Sequence, residues 1–189
     1  MILVRVAVGK NIKSVACINS KTMKIFLLTH ERELRRVTNT GAIALQNAGE
    51  IVERIVWQRV NPPALLTRLI ANNAAILLYS NAQSSAKISS IEPLPEHTIT
   101  DSMSLDRYDN IIIIDSTWQE AQKIFNQSPY LKQAAQFTVK TENSSSYKLR
   151  ANQPEGGLCT IECIIEVLKL KGEYEVAANL AIKFADFNR

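Results

Sequence analysis

Asn110-Ile111-Ile112-Ile113-Ile114-Asp115-Ser116-Thr117-Trp118 is the stretch from which the fold is read. A half-exposed strand alternates apolar and polar residues, whereas Ile111–Ile114 are apolar without a break. Such a run fits a strand covered on both faces, as in a parallel sheet between layers of helices. It stops at Asp115, and the small polar residues that follow open a helix. In open α/β sheets the ligand crevice lies beyond the carboxyl ends of the strands, which puts Asp115 at a favourable position for a site. Capping alone explains Asp115-Ser116-Thr117 equally well, and core packing explains Trp118.

Working outward, Ile2–Val8, Met23–Leu28, Ile51–Trp57, Ala75–Tyr79 and Phe137–Val139 read as further strands. Between them lie helical patterns. Pro62-Pro63 opens one that carries Leu65, Leu66, Leu69 and Ile70 on one side. Leu158, Ile161, Ile165 and Leu168 recur at helical spacing, as do Ala177, Leu180, Ala181 and Phe184, with Gly172 as the stop between the two helices. The alternation predicts an α/β fold, a sheet flanked by helices. Residues 80–106, rich in serine with Pro93 and Pro95, read as a long surface loop. Lys140–Ser146 is a second polar stretch, and Pro154, Gly156 and Gly157 precede the first of the two last helices.

The 189 residues fit one domain, and 46% hydrophobic with 21% charged residues excludes disorder over most of the chain. No apolar run is long enough to span a membrane. The opening MILVRVAVGKNIK lacks a basic lead and a cleavage site, so no signal peptide is expected. Net charge is +4 with pI near 9.0, a weak pointer to nucleic acid. Cys17, Cys159 and Cys163 form no CxxC pair; neither a disulfide framework nor a zinc site is expected, and a reducing cytoplasm is the default compartment. Glycine-rich dinucleotide and P-loop patterns are missing as well.

Two further groups of residues carry candidate chemistry. In Leu158-Cys159-Thr160-Ile161-Glu162, either Cys159 or Thr160 caps the helix and Glu162 sits in its first turn, where a carboxylate is favoured. Functionally, a carboxylate there grips an amino group or accepts a proton. Cys159 as a nucleophile would need a base, and neither His30 nor His97 is spaced to supply one. The basic stretch His30–Arg36 offers Arg32, Arg35 and Arg36 as phosphate contacts, with Arg54, Arg59, Lys148 and Arg150 as extensions. Because Glu31 and Glu33 lie among the arginines, a solvated, self-paired face is the plainer reading.

Taken together these residues resemble the DTW-domain family of tRNA-uridine aminocarboxypropyltransferases. The resemblance is carried by Asp115-Ser116-Thr117-Trp118, Tyr147-Lys148-Leu149-Arg150, Pro154, Gly156-Gly157 and Leu158-Cys159-Thr160-Ile161-Glu162. His30, Glu33, Arg36, Thr38-Asn39-Thr40-Gly41 and Leu77-Leu78-Tyr79-Ser80 support it upstream. It implies residues 1–189 as a single DTW domain, with 1–22 as an N-terminal remnant. The implied fold is SPOUT-like with a C-terminal trefoil knot, which no periodicity could reveal.

The implied reaction moves the 3-amino-3-carboxypropyl group of S-adenosylmethionine to N3 of a uridine in tRNA and releases methylthioadenosine. Asp115 is then the candidate catalytic base. The cofactor cradle is implied at Leu78, Tyr79 and Ser80, at Ser116, Thr117 and Trp118, and at Gly157, Leu158, Cys159, Thr160 and Glu162. Arg32, Arg35, Arg36, Thr38, Asn39, Thr40, Lys148 and Arg150 are the implied RNA contacts. The cysteine cluster of many members is missing here, Cys159 stands where serine is usual, and Ser80 where proline is common; no zinc is expected. A cytoplasmic monomer acting on tRNA is the expectation. A SAM-dependent RNA methyltransferase and a non-catalytic tRNA- or rRNA-binding protein are the alternatives.

Overall fold

In a computed structural model of the chain, residues 23–79, 98–99, 105–139, 145–147 and 157–189 are described. Six strands form one sheet: β1 (Lys24–Thr29), β2 (Val52–Val56), β3 (Ala75–Leu78), β4 (Thr98–Ile99), β5 (Asn110–Asp115) and β6 (Ala135–Phe137). Their order across the sheet is β2-β1-β5-β3-β6-β4, and every neighbouring pair is parallel. The helices are α1 (Gly41–Asn47), α2 (Ala64–Ala71), α3 (Trp118–Asn126), α4 (Thr160–Leu170) and α5 (Tyr174–Phe187).

The isoleucine run is covered on both faces, for the reason its composition implies. Ile111 and Ile113 join Ile25, Leu27 and Ile76 under α1, α4 and α5. Ile112 and Ile114 join Phe26, Leu28 and Leu77 under α2 and α3. Successive side chains of a strand point to opposite faces, so each strand contributes to both cores. Gly172, at φ +81°, occupies the left-handed conformation that turns the chain from α4 into α5.

β1, β2, β3 and β5 fall within a residue or two of the expected strands, and β6 starts two residues earlier than read. Ile2–Val8 lies outside the described residues. One reading is corrected. The segment 80–106 is not wholly a surface loop, because Thr98–Ile99 pairs with Gln136–Phe137 as an edge strand and Leu105 is fully buried. Neither a two-residue strand nor a lone leucine leaves a periodicity to read. Helix α1 was also unforeseen, since at seven residues it is too short for a clear helical stripe. Among the described residues no helix is long and apolar enough to cross a membrane, and no group of three or more His, Cys, Asp or Glu could hold a metal ion.

Candidate functional site

The chain leaves β1 through α1 on one face of the sheet and leaves β5 through α3 on the other, and β1 and β5 are adjacent. Neighbouring strands whose connections depart to opposite faces open a crevice at their carboxyl ends. Thr29 and Asp115 face each other there in parallel register. By strand alternation both side chains point to the α1 and α4 side.

Asp115 is 1% exposed, and polar groups from β1, β2, α4 and the loop before α1 converge on its carboxylate. Its Oδ2 accepts hydrogen bonds from the Thr29 hydroxyl at 3.1 Å and from the Asn39 amide at 3.0 Å. Arg54 Nη2, reaching over from β2, stands 3.7 Å from the same oxygen. Oδ1 accepts from the Thr160 hydroxyl at 3.0 Å. Gly41 lets the start of α1 close on this group: a Cβ there would fall 2.8 Å from Oδ1 and 2.9 Å from Oδ2. Asp115 is thus no helix cap. Thr117 caps α3 instead, accepting from the Glu120 amide at 3.3 Å, while Ser116 turns its hydroxyl to the Thr117 carbonyl.

Asn39 is the second node. Its amide nitrogen donates to Asp115 and, at 3.5 Å, to Glu33. Its oxygen accepts from the Ala42 amide at 2.8 Å and from Arg54 at 3.2 Å. All four hydrogen-bonding positions of the amide are therefore occupied. Glu33, buried, is ion-paired with Arg36 at 2.9 Å. The cluster holds two buried carboxylates and two partly exposed guanidiniums, which balances its charge where an uncompensated buried ion is costly.

Beyond it, Glu162 clamps the approach to α4. It accepts from Ser145 Oγ at 2.6 Å, from the Ser146 amide at 2.8 Å and from the Cys159 amide at 2.9 Å. Cys159 and Glu162 form a capping box at the start of α4, so of the two candidate caps it is Cys159. The Tyr147 hydroxyl donates to the Thr38 carbonyl at 2.7 Å, tying segment 145–147 to the loop between β1 and α1. Burial alone would raise the Glu162 carboxyl; the hydrogen bonds from Ser145, Cys159 and Ser146 outweigh it and hold the group below the usual carboxylate range. Burial, with the Glu162 charge adding to it, raises the Cys159 thiol and pushes Cys163 up to about 12. Thiolates are the nucleophilic form, so both thiols are inert near neutrality.

Because Glu162 is held below its ordinary value, its contribution to stability is present above the normal carboxylate range and is lost as pH falls through the lowered value. Glu162→Gln is expected to cost about 1–2 kcal/mol near neutral pH and progressively less as pH falls through the lowered value. Thermal melts of both proteins across that interval check it; an undiminished gap in acid would refute the clamp.

The expected site residues thus divide. Asp115, Thr160, Asn39 and Thr40 come together, Thr40 through its hydroxyl, which accepts from the Ile161 amide at 3.4 Å. Asn39 and Thr40, expected at the RNA surface, are instead buried. Leu78 ends β3 beside β5, and Tyr79 stacks on Phe125 of α3 at 4.2 Å. Trp118 is half-buried at the first turn of α3. Gly157 is buried and Leu158 half-buried just ahead of α4. Arg32 and Arg35 are exposed, Arg32 standing 3.9 Å from Glu120. Arg36 is tied to Glu33 and Arg54 to Asp115, so neither is a plain surface cation. Ser80, Lys148, Arg150, Pro154 and Gly156 lie outside the described residues. Sequence reasoning missed Thr29 and Gly41; a threonine closing an apolar strand was the one local sign of the former.

The fold and this cluster define an α/β protein with an open parallel sheet and a buried polar cluster, the candidate site, at the switch between β1 and β5. The profile of the DTW domain matches residues 4–189, and the chain belongs to that family. It is also similar to tRNA-uridine aminocarboxypropyltransferase 2 of Macaca fascicularis, with 37% identity over 60 residues, 32% of this chain and 20% of that relative's length. No solved structure matches.

Proposed function

We propose that this protein transfers the 3-amino-3-carboxypropyl group of S-adenosylmethionine to N3 of a uridine in tRNA, releasing methylthioadenosine. The family membership and the name of its relative support a tRNA-modifying transferase. The observation that carries the reading to this site is the convergence of the Thr38–Gly41, Asp115–Trp118 and Cys159–Glu162 stretches at one sheet edge.

Uracil N3 is a poor nucleophile while protonated, so a positioned base is required. Asp115 is assigned that part: Oδ2 is occupied, whereas Oδ1 accepts one hydrogen bond among the described residues and keeps acceptor capacity. The donor is placed between the end of β3, at Leu78 and Tyr79, and the start of α4, at Gly157–Thr160. Its sulfonium is already a good leaving group. The residues around it therefore have mainly to aim the correct carbon at N3 and keep the methyl away. The same reading carries the SPOUT-like fold with a C-terminal trefoil knot; residues 140–144 and 148–156 lie outside the described residues.

Purified protein incubated with S-adenosylmethionine and unmodified tRNA, followed by mass spectrometry of digested nucleosides, tests the reaction. Aminocarboxypropyl-uridine with an equal amount of methylthioadenosine is expected. A methylated nucleoside would turn the reading to a methyltransferase, and bound tRNA without product to a non-catalytic binder. For the RNA face, Arg35 is the cleanest probe because Arg36 serves the buried cluster. Arg35→Ala is expected to weaken tRNA binding and to lower the slope of log affinity against log salt by about one. An unchanged slope would remove Arg35 from the interface.

A further inference from the structure

We propose that Thr160 is a proton relay, through whose hydroxyl the buried Asp115 acts on the substrate. The inference rests on the transferase reading above. Asp115 cannot meet a uracil N–H directly: it is 1% exposed, Thr29 and Asn39 occupy Oδ2, and the start of α1 lies against both oxygens at Gly41. Thr160 is only half-buried, and as the first residue of α4 it lies at the sheet edge where substrate is placed.

An ionised carboxylate only accepts, so in the 3.0 Å contact the Thr160 hydroxyl gives its single proton to Asp115 Oδ1. The two lone pairs of Thr160 Oγ1 are left as acceptors, and among the described residues no donor reaches them.

In the step itself the N3 proton passes to Thr160 Oγ1 while the hydroxyl proton passes to Asp115 Oδ1. N3 keeps the electron pair and bonds the terminal methylene of the aminocarboxypropyl arm. The carbon–sulfur bond breaks with its pair going to sulfur, which leaves as the neutral thioether of methylthioadenosine. Asp115 ends protonated, Thr160 is unchanged, and the proton returns to solvent by the same route. The charged groups around the relay are Arg54 from β2, Glu33 and Arg36 from the segment before α1, and Glu162 two residues along α4.

The test compares the full-length protein with Thr160→Val, which keeps the side-chain shape, and Thr160→Ser, which keeps the hydroxyl. Rate is measured against pH together with KM for both substrates. Thr160→Val is expected to lose about a hundredfold or more in kcat, with KM values within about threefold. Its rate should rise in proportion to hydroxide, because solvent must then take the N3 proton. Thr160→Ser should recover to within about tenfold and regain the wild-type pH profile. A Thr160→Val rate close to wild type, or a reduced rate with the profile unchanged in shape, overturns the relay and leaves the transferase reading intact. Failure of the wild-type protein itself to form aminocarboxypropyl-uridine removes that reading and the relay with it.

Discussion

Asp115→Asn is expected to silence the proposed transfer while leaving the fold standing. An asparagine with its oxygen in place of Oδ2 still accepts from Thr29 and Asn39. Its amide nitrogen in place of Oδ1 can donate to Thr160, whose hydroxyl reverses from donor to acceptor. What is lost is the negative charge facing Arg54 at 3.7 Å, and that side chain is 23% exposed. Solvent screens part of the loss, so the stability cost is about 1 kcal/mol, or a few degrees in Tm. The amide cannot take up a proton, and removing a general base costs about 10²–10⁴-fold in rate. Product formation and thermal melts on the same preparation separate the two effects. Near-normal activity would make Asp115 purely structural; loss of activity with collapse of the fold would make the variant uninformative about a base, and Thr160→Val would then decide.

The parts of this structure that were legible in the sequence are those written locally. Four isoleucines in a row can only be covered on both faces, and Asp115 stands where that run ends; strand, layer and site edge follow from those residues. Thr29 and Arg54 could not be placed in the same way. Thr29 meets Asp115 only through a strand pairing 86 residues apart in sequence, and Arg54 reaches the same oxygen from two strands away. The burial of Asn39 and Thr40 was not legible either, for a physical reason. Polar residues beside a basic stretch look solvated, yet here both are buried, Asn39 bridging the Asp115 and Glu33 carboxylates and Thr40 accepting from the Ile161 amide. Glu33 and Arg36, read as members of a charged face, are one ion pair whose carboxylate is buried and whose guanidinium is exposed.

That bridging makes Asn39→Asp the substitution with the largest expected effect on stability. The Asn39 nitrogen lies 3.0 Å from Asp115 Oδ2 and 3.5 Å from Glu33 Oε2. An oxygen in its place turns two hydrogen bonds into repulsions and brings a third carboxylate into a cluster with two guanidiniums. An uncompensated buried charge of this kind costs about 3–5 kcal/mol, or roughly 6–20 °C in Tm for a chain of this size. Its pH dependence has a definite sign. The new carboxyl must stay protonated in the folded state, so its folded pKa lies above the unfolded one. Below the ordinary aspartate range it is protonated in both states and the penalty vanishes; above that range only the unfolded chain ionises freely, and the deficit grows with pH. Asn39→Asp should therefore approach wild type in acid and fall furthest behind it near neutrality. A constant deficit across pH would mean that Asn39 matters for shape alone, and that charge balance does not hold the loop between β1 and α1 against Asp115.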